Sequence, residues 1–85
     1  MNVGETDGSR VEVSVVTAGT YEFVIDGVLS ERACAAFPEL RALVCEQHAT
    51  TRFIGVITGH SGLQSILHRI DDMGLVLTGL RQLPG

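Results

Sequence analysis

The sequence predicts a single α+β domain, and three observations support that prediction. Apolar and polar residues alternate over Thr20 to Val28, which indicates a strand. From Leu63 to Met73 the apolar residues recur at helical spacing and form one stripe of an amphipathic helix. Two further strand-like runs, Arg41 to His48 and Arg52 to Thr58, are separated by three residues, and this spacing favours an antiparallel hairpin.

The segment before the first strand divides into two parts. Met1 to Arg10 is polar and contains glycine, and we expect a flexible N-terminus there. Val11 to Val16 has high strand propensity, with Val13 and Val15 on one side. We expect residues 11–19 to form an N-terminal strand or arm, which either pairs within its own subunit or is exchanged with a neighbour.

The first strand and first helix have clear local signals. Three alternating residues of the strand form a face that we expect to point at the helices: Tyr21, Phe23 and Ile25. Ser30 has the chemistry of a helix N-cap, and Pro38 limits the helix that follows. The first helix should therefore be short, from Glu31 to about Phe37.

The second helix should end at Gly74, where a residue in the left-handed conformation is expected. A last strand then runs from Leu75 to about Leu83. Because Leu67 and Ile70 lie on the apolar stripe, truncating either to alanine should cost about 2 to 5 kcal/mol of stability.

The predicted order is strand, helix, strand, strand, helix, strand. With short loops and right-handed crossovers, this order predicts a ferredoxin-like βαββαβ two-layer sandwich over residues 20–85, to which an N-terminal strand or arm is added. The strands that begin at Thr20 and Arg52 should lie in the middle of the sheet. Both helices should cover the same face.

The other face of the predicted sheet has more apolar residues than a water-facing surface should have. It would contain Val24 and Val28, together with one of two pairs on the third strand, Phe53 with Ile57 or Ile54 with Val56. We therefore expect either a homodimer or higher homo-oligomer that buries this face, with Val13 and Val15 of the arm at the same interface, or coverage of the face by the Val11 to Val16 arm.

Composition excludes several classes of partner. The net charge is -4, from 6 Lys+Arg against 10 Asp+Glu, so we expect no nucleic-acid binding. The start is unlike a signal peptide, and no apolar run approaches membrane-spanning length, so we expect no membrane association. The two cysteines form neither a Cys-x-x-Cys pair nor a disulfide framework, which favours a cytoplasmic protein.

The chain resembles a known group of proteins, and two segments show this most clearly: YEFVIDGVLS at 21–30 and LQSILHRIDDMGLVLTGLRQLP at 63–84. It resembles small stand-alone bacterial proteins of ferredoxin-like or ACT-like fold, most of which have no assigned function. ACT domains bind small ligands at interfaces between paired domains, so the resemblance implies self-association with small-molecule binding. Metal-transfer domains of this shape use a Cys-x-x-Cys loop, and this sequence has none.

The first candidate ligand site is the start of the second helix, at Gly59, His60, Ser61 and Gly62. Amide groups at a helix N-terminus bind anions, and two glycines would let a small anionic ligand approach the backbone. The alternative is that Thr58, Gly59 or Ser61 only caps the helix, and this alternative is favoured because nearly every helix needs a cap.

His68 and Asp72 lie four residues apart on the polar side of the same helix, with Asp71 beside them. They could form an acid-base or metal pair, although a solvated face with a local ion pair is the favoured interpretation. Cys45 and His48 are three apart on one strand and should point to opposite faces. We therefore expect no metal, no cofactor and no catalytic residue.

The function favoured by the sequence is a self-associating binding or interaction module, with a small ligand bound at a subunit interface. The alternative is a small enzyme or substrate-handling accessory protein with its site near His60, Ser61, His68 and Asp72. Whether any reaction is catalysed is left open, and a non-enzymatic role is favoured.

Overall fold

A computed structural model describes residues 17–84. Its elements are β1 (Gly19–Asp26), α1 (Glu31–Ala35), β2 (Arg41–Cys45), β3 (Thr50–Ile57), α2 (His60–Asp72) and β4 (Leu77–Gln82). The α+β class is therefore confirmed. The flexible start expected at 1–10 and the strand expected over Val11 to Val16 lie outside the described residues.

Within residues 17–84 the four strands form one antiparallel sheet in the order β2-β3-β1-β4. The prediction that the strands beginning near Thr20 and Arg52 lie in the middle is confirmed. Phe23 of β1 pairs with Phe53 of β3, so the two rings lie on the same face. Ile54 and Val56 therefore point to the opposite face, which settles the choice between the two pairs on the third strand.

The core lies between one face of this sheet and the two helices. Its buried residues come from the sheet, from α2 and from the segment after α1: Tyr21, Phe23, Ile25, Phe37, Leu40, Phe53, Ile57, Ile66 and Ile70. Phe37 packs on Phe53, with ring centroids 4.6 Å apart. The predicted inward face of β1 is thus confirmed. The predicted apolar stripe of α2 is confirmed except at its last residue, Met73, which is 37% exposed and follows the end of the helix. Neither helix in the described part of the chain is long and apolar enough to cross a membrane.

β1 ends two residues earlier than the sequence pattern indicates. Gly27 has φ +105°, a backbone conformation that residues with a Cβ rarely adopt. Its N–H donates to the Ala49 carbonyl at 2.6 Å. The buried Thr51 hydroxyl holds residues 27–29 in this turn away from the strand. It donates to the Gly27 carbonyl at 2.9 Å and accepts from the Leu29 N–H at 3.1 Å. The prediction that Val28 belongs to the first strand is wrong.

The β2–β3 hairpin is confirmed, but its turn lies at 46–49 and not at the predicted 49–51. Ala49 has φ +51°, which closes the turn and lets Thr50 and Thr51 join β3. His48 consequently lies in the turn and not on the strand with Cys45.

α1 ends at Ala35, two residues before the predicted Phe37, whereas its start and the end of α2 follow their sequence signals. The Ser30 hydroxyl accepts from the Ala33 N–H at 3.1 Å, which confirms the predicted N-cap. At the end of α2, Gly74 has φ +71°, and the N–H of Leu75 donates to the Ile70 carbonyl at 3.0 Å, the pattern of a Schellman motif. Because this motif uses the Leu75 N–H, β4 begins at Leu77 and not at the predicted Leu75.

Candidate functional site

The face of the sheet opposite the helices is called the open face below. It is formed by the even-numbered positions of β1 and β3, the odd-numbered positions of β2, and positions 79 and 81 of β4. In one row across the sheet, Arg41, Ile54, Glu22 and Arg81 are neighbours. In the next row Leu43, Arg52, Val24 and Gly79 are neighbours.

Glu22 occupies the centre of the open face and is paired with two arginines. Its Oε1 accepts from Nε of Arg81 at 2.8 Å, and its Oε2 accepts from Nη1 of Arg52 at 2.7 Å. The Glu22 side chain is only 4% exposed, whereas those of Arg52 and Arg81 are 46% and 68% exposed. One carboxylate on the central strand thus joins the two strands that flank it.

The electrostatics of this cluster, called the Glu22 clamp below, keep the carboxylate ionised. Hydrogen bonds from Arg81 and then Arg52 hold the pKa of Glu22 below its ordinary value of 4.5, and they outweigh its burial, which acts in the opposite direction. A buried carboxylate is costly unless it is paired and hydrogen-bonded, and here both oxygens have partners.

The Glu22 clamp was not predicted from the sequence. The alternation of Tyr21, Phe23 and Ile25 implies that Glu22 points outward, which is where it lies, but nothing in the sequence identifies the arginines as its partners. The signal was a single acidic residue in the middle of a central strand, together with one arginine inside each flanking strand. Using that signal requires the strand register, which the sequence alone does not provide.

Around the Glu22 clamp the open face mixes apolar side chains with polar ones such as Arg41 and Asp26. Val56 is 67% exposed near the end of the central strand β3, beyond the last residue of β3 that pairs with β2. Val24, Ile54, Leu43 and Cys45 are half-buried on the same face. Val24 stands opposite Gly79, where an added Cβ would come within 3.5 Å of the valine side chain.

The predicted interface residues separate into three groups. Val24 lies on the open face, as expected. Val28 is 48% exposed in the loop after β1, so its predicted place on this face is wrong. Val13 and Val15 lie outside the described residues.

The predicted ligand residues at the start of α2 are brought together on the helix side of the molecule. Gly59 is the N-cap with φ +156°, and no side chain makes a capping hydrogen bond there. His60 and Ser61 are exposed, while a Cβ on the half-buried Gly62 would contact Ile57 at 3.5 Å. This geometry fits a glycine turn that starts a helix.

The residues of the alternative enzyme site are exposed positions along one helix. His60, Ser61, His68 and Asp72 all lie on α2, with Asp71 beside them. Among residues 17–84, no group of three or more His, Cys, Asp or Glu side chains could hold a metal ion. Cys34 and Cys45 are both free thiols.

A second ion pair lies on the helix side and holds α2 to the segment after α1. Arg69 donates two hydrogen bonds to the Glu39 carboxylate, at 2.9 and 2.8 Å, and one to the Ala36 carbonyl at 3.0 Å. Its guanidinium also lies over the Phe37 ring, 5.2 Å from the centroid. The hydrogen bonds from Arg69 lower the pKa of Glu39. These contacts give Arg69 a structural role.

Comparison with known proteins places the chain in a family. No curated protein and no solved structure matches the chain. A family model described as a domain of unknown function, DUF8691, matches residues 20–81, which begin in β1 and end in β4. The match covers most of the chain, and the protein therefore belongs to the DUF8691 family.

Proposed function

We propose that the protein is a self-associating interaction module of ferredoxin-like arrangement, in which the open face packs against the same face of a second copy. The order of elements along the chain supports the ferredoxin-like arrangement, as does the central position of β1 and β3. The observation that supports self-association most directly is the 67% exposure of Val56 on a central strand, among other apolar residues.

Several apolar residues of the open face are close neighbours. Val56 and Ile54 are alternate residues of β3, and Val24 of β1 lies diagonally across from Ile54, with Arg41 and Glu22 on either side of Ile54. A sheet face that meets water normally alternates cleanly between apolar inside and polar outside. Contiguous apolar surface on a small domain typically marks an interaction site.

The Glu22 clamp makes this face suitable for burial. A partner that covered an unpaired carboxylate would have to remove its hydration without compensation. Because Glu22 is already paired with Arg52 and Arg81, a second copy can cover the centre of the face at lower cost. The exposed guanidiniums remain available at the surface of the clamp.

We also propose a cytoplasmic location. The free thiols of Cys34 and Cys45 support it, because disulfides form in oxidising compartments.

The test of self-association replaces Val56 by a charged residue. Sedimentation of Val56→Glu should show a monomer at concentrations where the wild type is a dimer, because the new carboxylate would lose its hydration in the interface. Val28→Glu is the matched control, since Val28 is also an exposed valine but lies off the open face. A wild type that is monomeric throughout, or an equal loss in both variants, would contradict the proposal.

A further inference from the structure

The open face differs in charge from the rest of the chain. Three exposed arginines lie on it, Arg41, Arg52 and Arg81, each on a different strand. With Glu22 at their centre and the exposed Asp26 at the end of β1, the face has three positive charges against two negative ones, in a chain whose net charge is -4. Cationic surface on an acidic protein attracts anions to one place.

The Glu22 clamp holds two of these guanidiniums in fixed positions. One carboxylate accepts from Nε of Arg81 and from Nη1 of Arg52, on its two separate oxygens. A guanidinium has five N–H donors, so most donors of each arginine are left for other acceptors. Both arginines are about half exposed or more, which leaves those donors accessible from the open face.

Self-association would concentrate this charge further. Two open faces in contact would bring a second set of arginines against the first, and like charges in a desolvated interface oppose association. A bound anion would remove that repulsion. A phosphate-type oxyanion brings the opposite charge and accepts arginine donors in a planar, two-point geometry.

We propose that the open face binds a phosphate-type oxyanion between the guanidiniums of Arg52 and Arg81, with Arg41 adding charge, and that the bound anion strengthens contact between two copies. This inference rests on the proposed self-association. The site is separate from the start of α2, because its donors are arginine side chains on two strands of the open face and not helix amides.

The experiment measures the dimer Kd by sedimentation in inorganic phosphate and in sodium chloride of equal ionic strength. Phosphate should lower the Kd of the wild type about tenfold, the order of one added charge-assisted contact. Arg81→Gln should lose most of this shift. Arg41→Gln should lose part of the phosphate-induced shift in Kd. Because Arg41→Gln leaves the Glu22 clamp intact, it still tests the proposal if Arg81→Gln folds poorly. The control Arg32→Gln, on the exposed side of α1, should retain the shift.

Two results would overturn the inference while the proposed function stands. One is an equal shift in chloride, because that is general screening. The other is an unchanged shift in Arg81→Gln and Arg41→Gln. If the wild type is monomeric in both salts, the proposed function fails, and a phosphate titration followed by NMR of the arginine Nε–H signals decides the site. Saturable changes confined to Arg52 and Arg81 would support the site, and their absence would overturn it.

A vesicle-binding experiment decides the source of the phosphate group. Cosedimentation of the wild type, but not Arg81→Gln, with vesicles of phosphatidylglycerol and phosphatidylcholine would support the site and identify a lipid headgroup as its ligand. A phosphate effect on the Kd with no cosedimentation would support the site and identify a soluble phosphate compound.

Discussion

At the scale of single residues, Glu22 shows how a carboxylate is kept inside a sheet. Its neighbours along β1, Tyr21 and Phe23, face the core, so the strand itself forces Glu22 to the other side. Burial there is tolerated because the two arginines supply charged donors from both flanking strands. The partners differ in solvent exposure, since the arginine side chains are exposed and the carboxylate is almost fully buried.

The first prediction concerns Glu22→Gln. The pKa of Glu22 is lowered in the folded state, so its contribution is fully present above the unfolded pKa and is lost as the pH falls through the lower, folded value. At about pH 7 the substitution should cost about 1.5 to 3 kcal/mol, the range for hydrogen bonds to a charged group. Urea unfolding across pH should show the gap to wild type closing below the ordinary glutamate pKa of 4.5.

Glu39→Gln is the comparison for that experiment, because the pKa of Glu39 is also lowered by an arginine. Its side chain is 44% exposed, so solvent screens the pair and the cost should be smaller than for Glu22→Gln. A gap for Glu22→Gln that stayed constant down to acid pH would show that the pair does not stabilise the fold through ionisation.

The second prediction concerns two residues, Leu67 and Ile70, for which the sequence predicts the same loss of stability on truncation. Ile70 is 3% exposed, whereas Leu67 is only half-buried at the edge of the core. Ile70→Ala should therefore cost about 2 to 5 kcal/mol, and Leu67→Ala about half as much, because less surface and a smaller cavity are involved. Equal urea midpoints for the two variants would contradict this placement.

Sequence periodicity could identify the inward face of β1 and the apolar stripe of α2, because each depends only on residues within one element. It could not decide which alternate residues of β3 face inward. Phe53 and Ile54 are both apolar, and only the pairing of Phe53 with Phe23 places one of them in the core. For the same reason the arginine partners of Glu22 could not be found without the register.

At the scale of elements, glycines decide where α2 ends and how well it forms. Gly74 closes the helix with φ +71°, a conformation that costs a residue with a Cβ roughly 1 to 2 kcal/mol. Gly62 lies within the same helix, and a Cβ there would make ordinary contact with Ile57 at 3.5 Å. Glycine inside a helix is less favourable than alanine.

The third prediction is that alanine has opposite effects at these two positions. Gly74→Ala should destabilise the protein by about 1 to 2 kcal/mol, while Gly62→Ala should stabilise it by about 0.5 to 1 kcal/mol. Thermal melting of both variants and the wild type measures this directly. Stabilisation by both substitutions would show that helix propensity, and not backbone conformation, controls the end of α2.

Boundaries of elements were predicted well where a local residue type determines them. The Ser30 cap and the Gly74 stop are examples. Boundaries set by tertiary contacts were predicted less well. β1 ends at Asp26 because Gly27 bonds across to Ala49 and because Thr51 fixes the chain beyond it, and these partners are more than twenty residues away.

At the scale of the whole molecule, the two faces of the sheet have different roles. One face forms the core with both helices, and a domain near this size buries only about 60% of the surface that its unfolded chain exposes. The open face combines apolar residues with a paired carboxylate and exposed arginines. Additional burial of that face by a second copy would therefore add to a stability that a small core alone keeps modest.

The last prediction follows from this link between association and folding. If the native state is a dimer, the melting temperature must depend on protein concentration, because association stabilises only the folded chain. A tenfold increase should raise the Tm by roughly 3 to 6 °C, since tenfold is worth about 1.4 kcal/mol per dimer and 1 kcal/mol shifts a domain near this size by about 4 to 8 °C. Val56→Glu should melt at a Tm that does not change with concentration, whereas Val28→Glu should behave like the wild type. A wild-type Tm that is constant over that range would mean that the open face does not join two copies under these conditions.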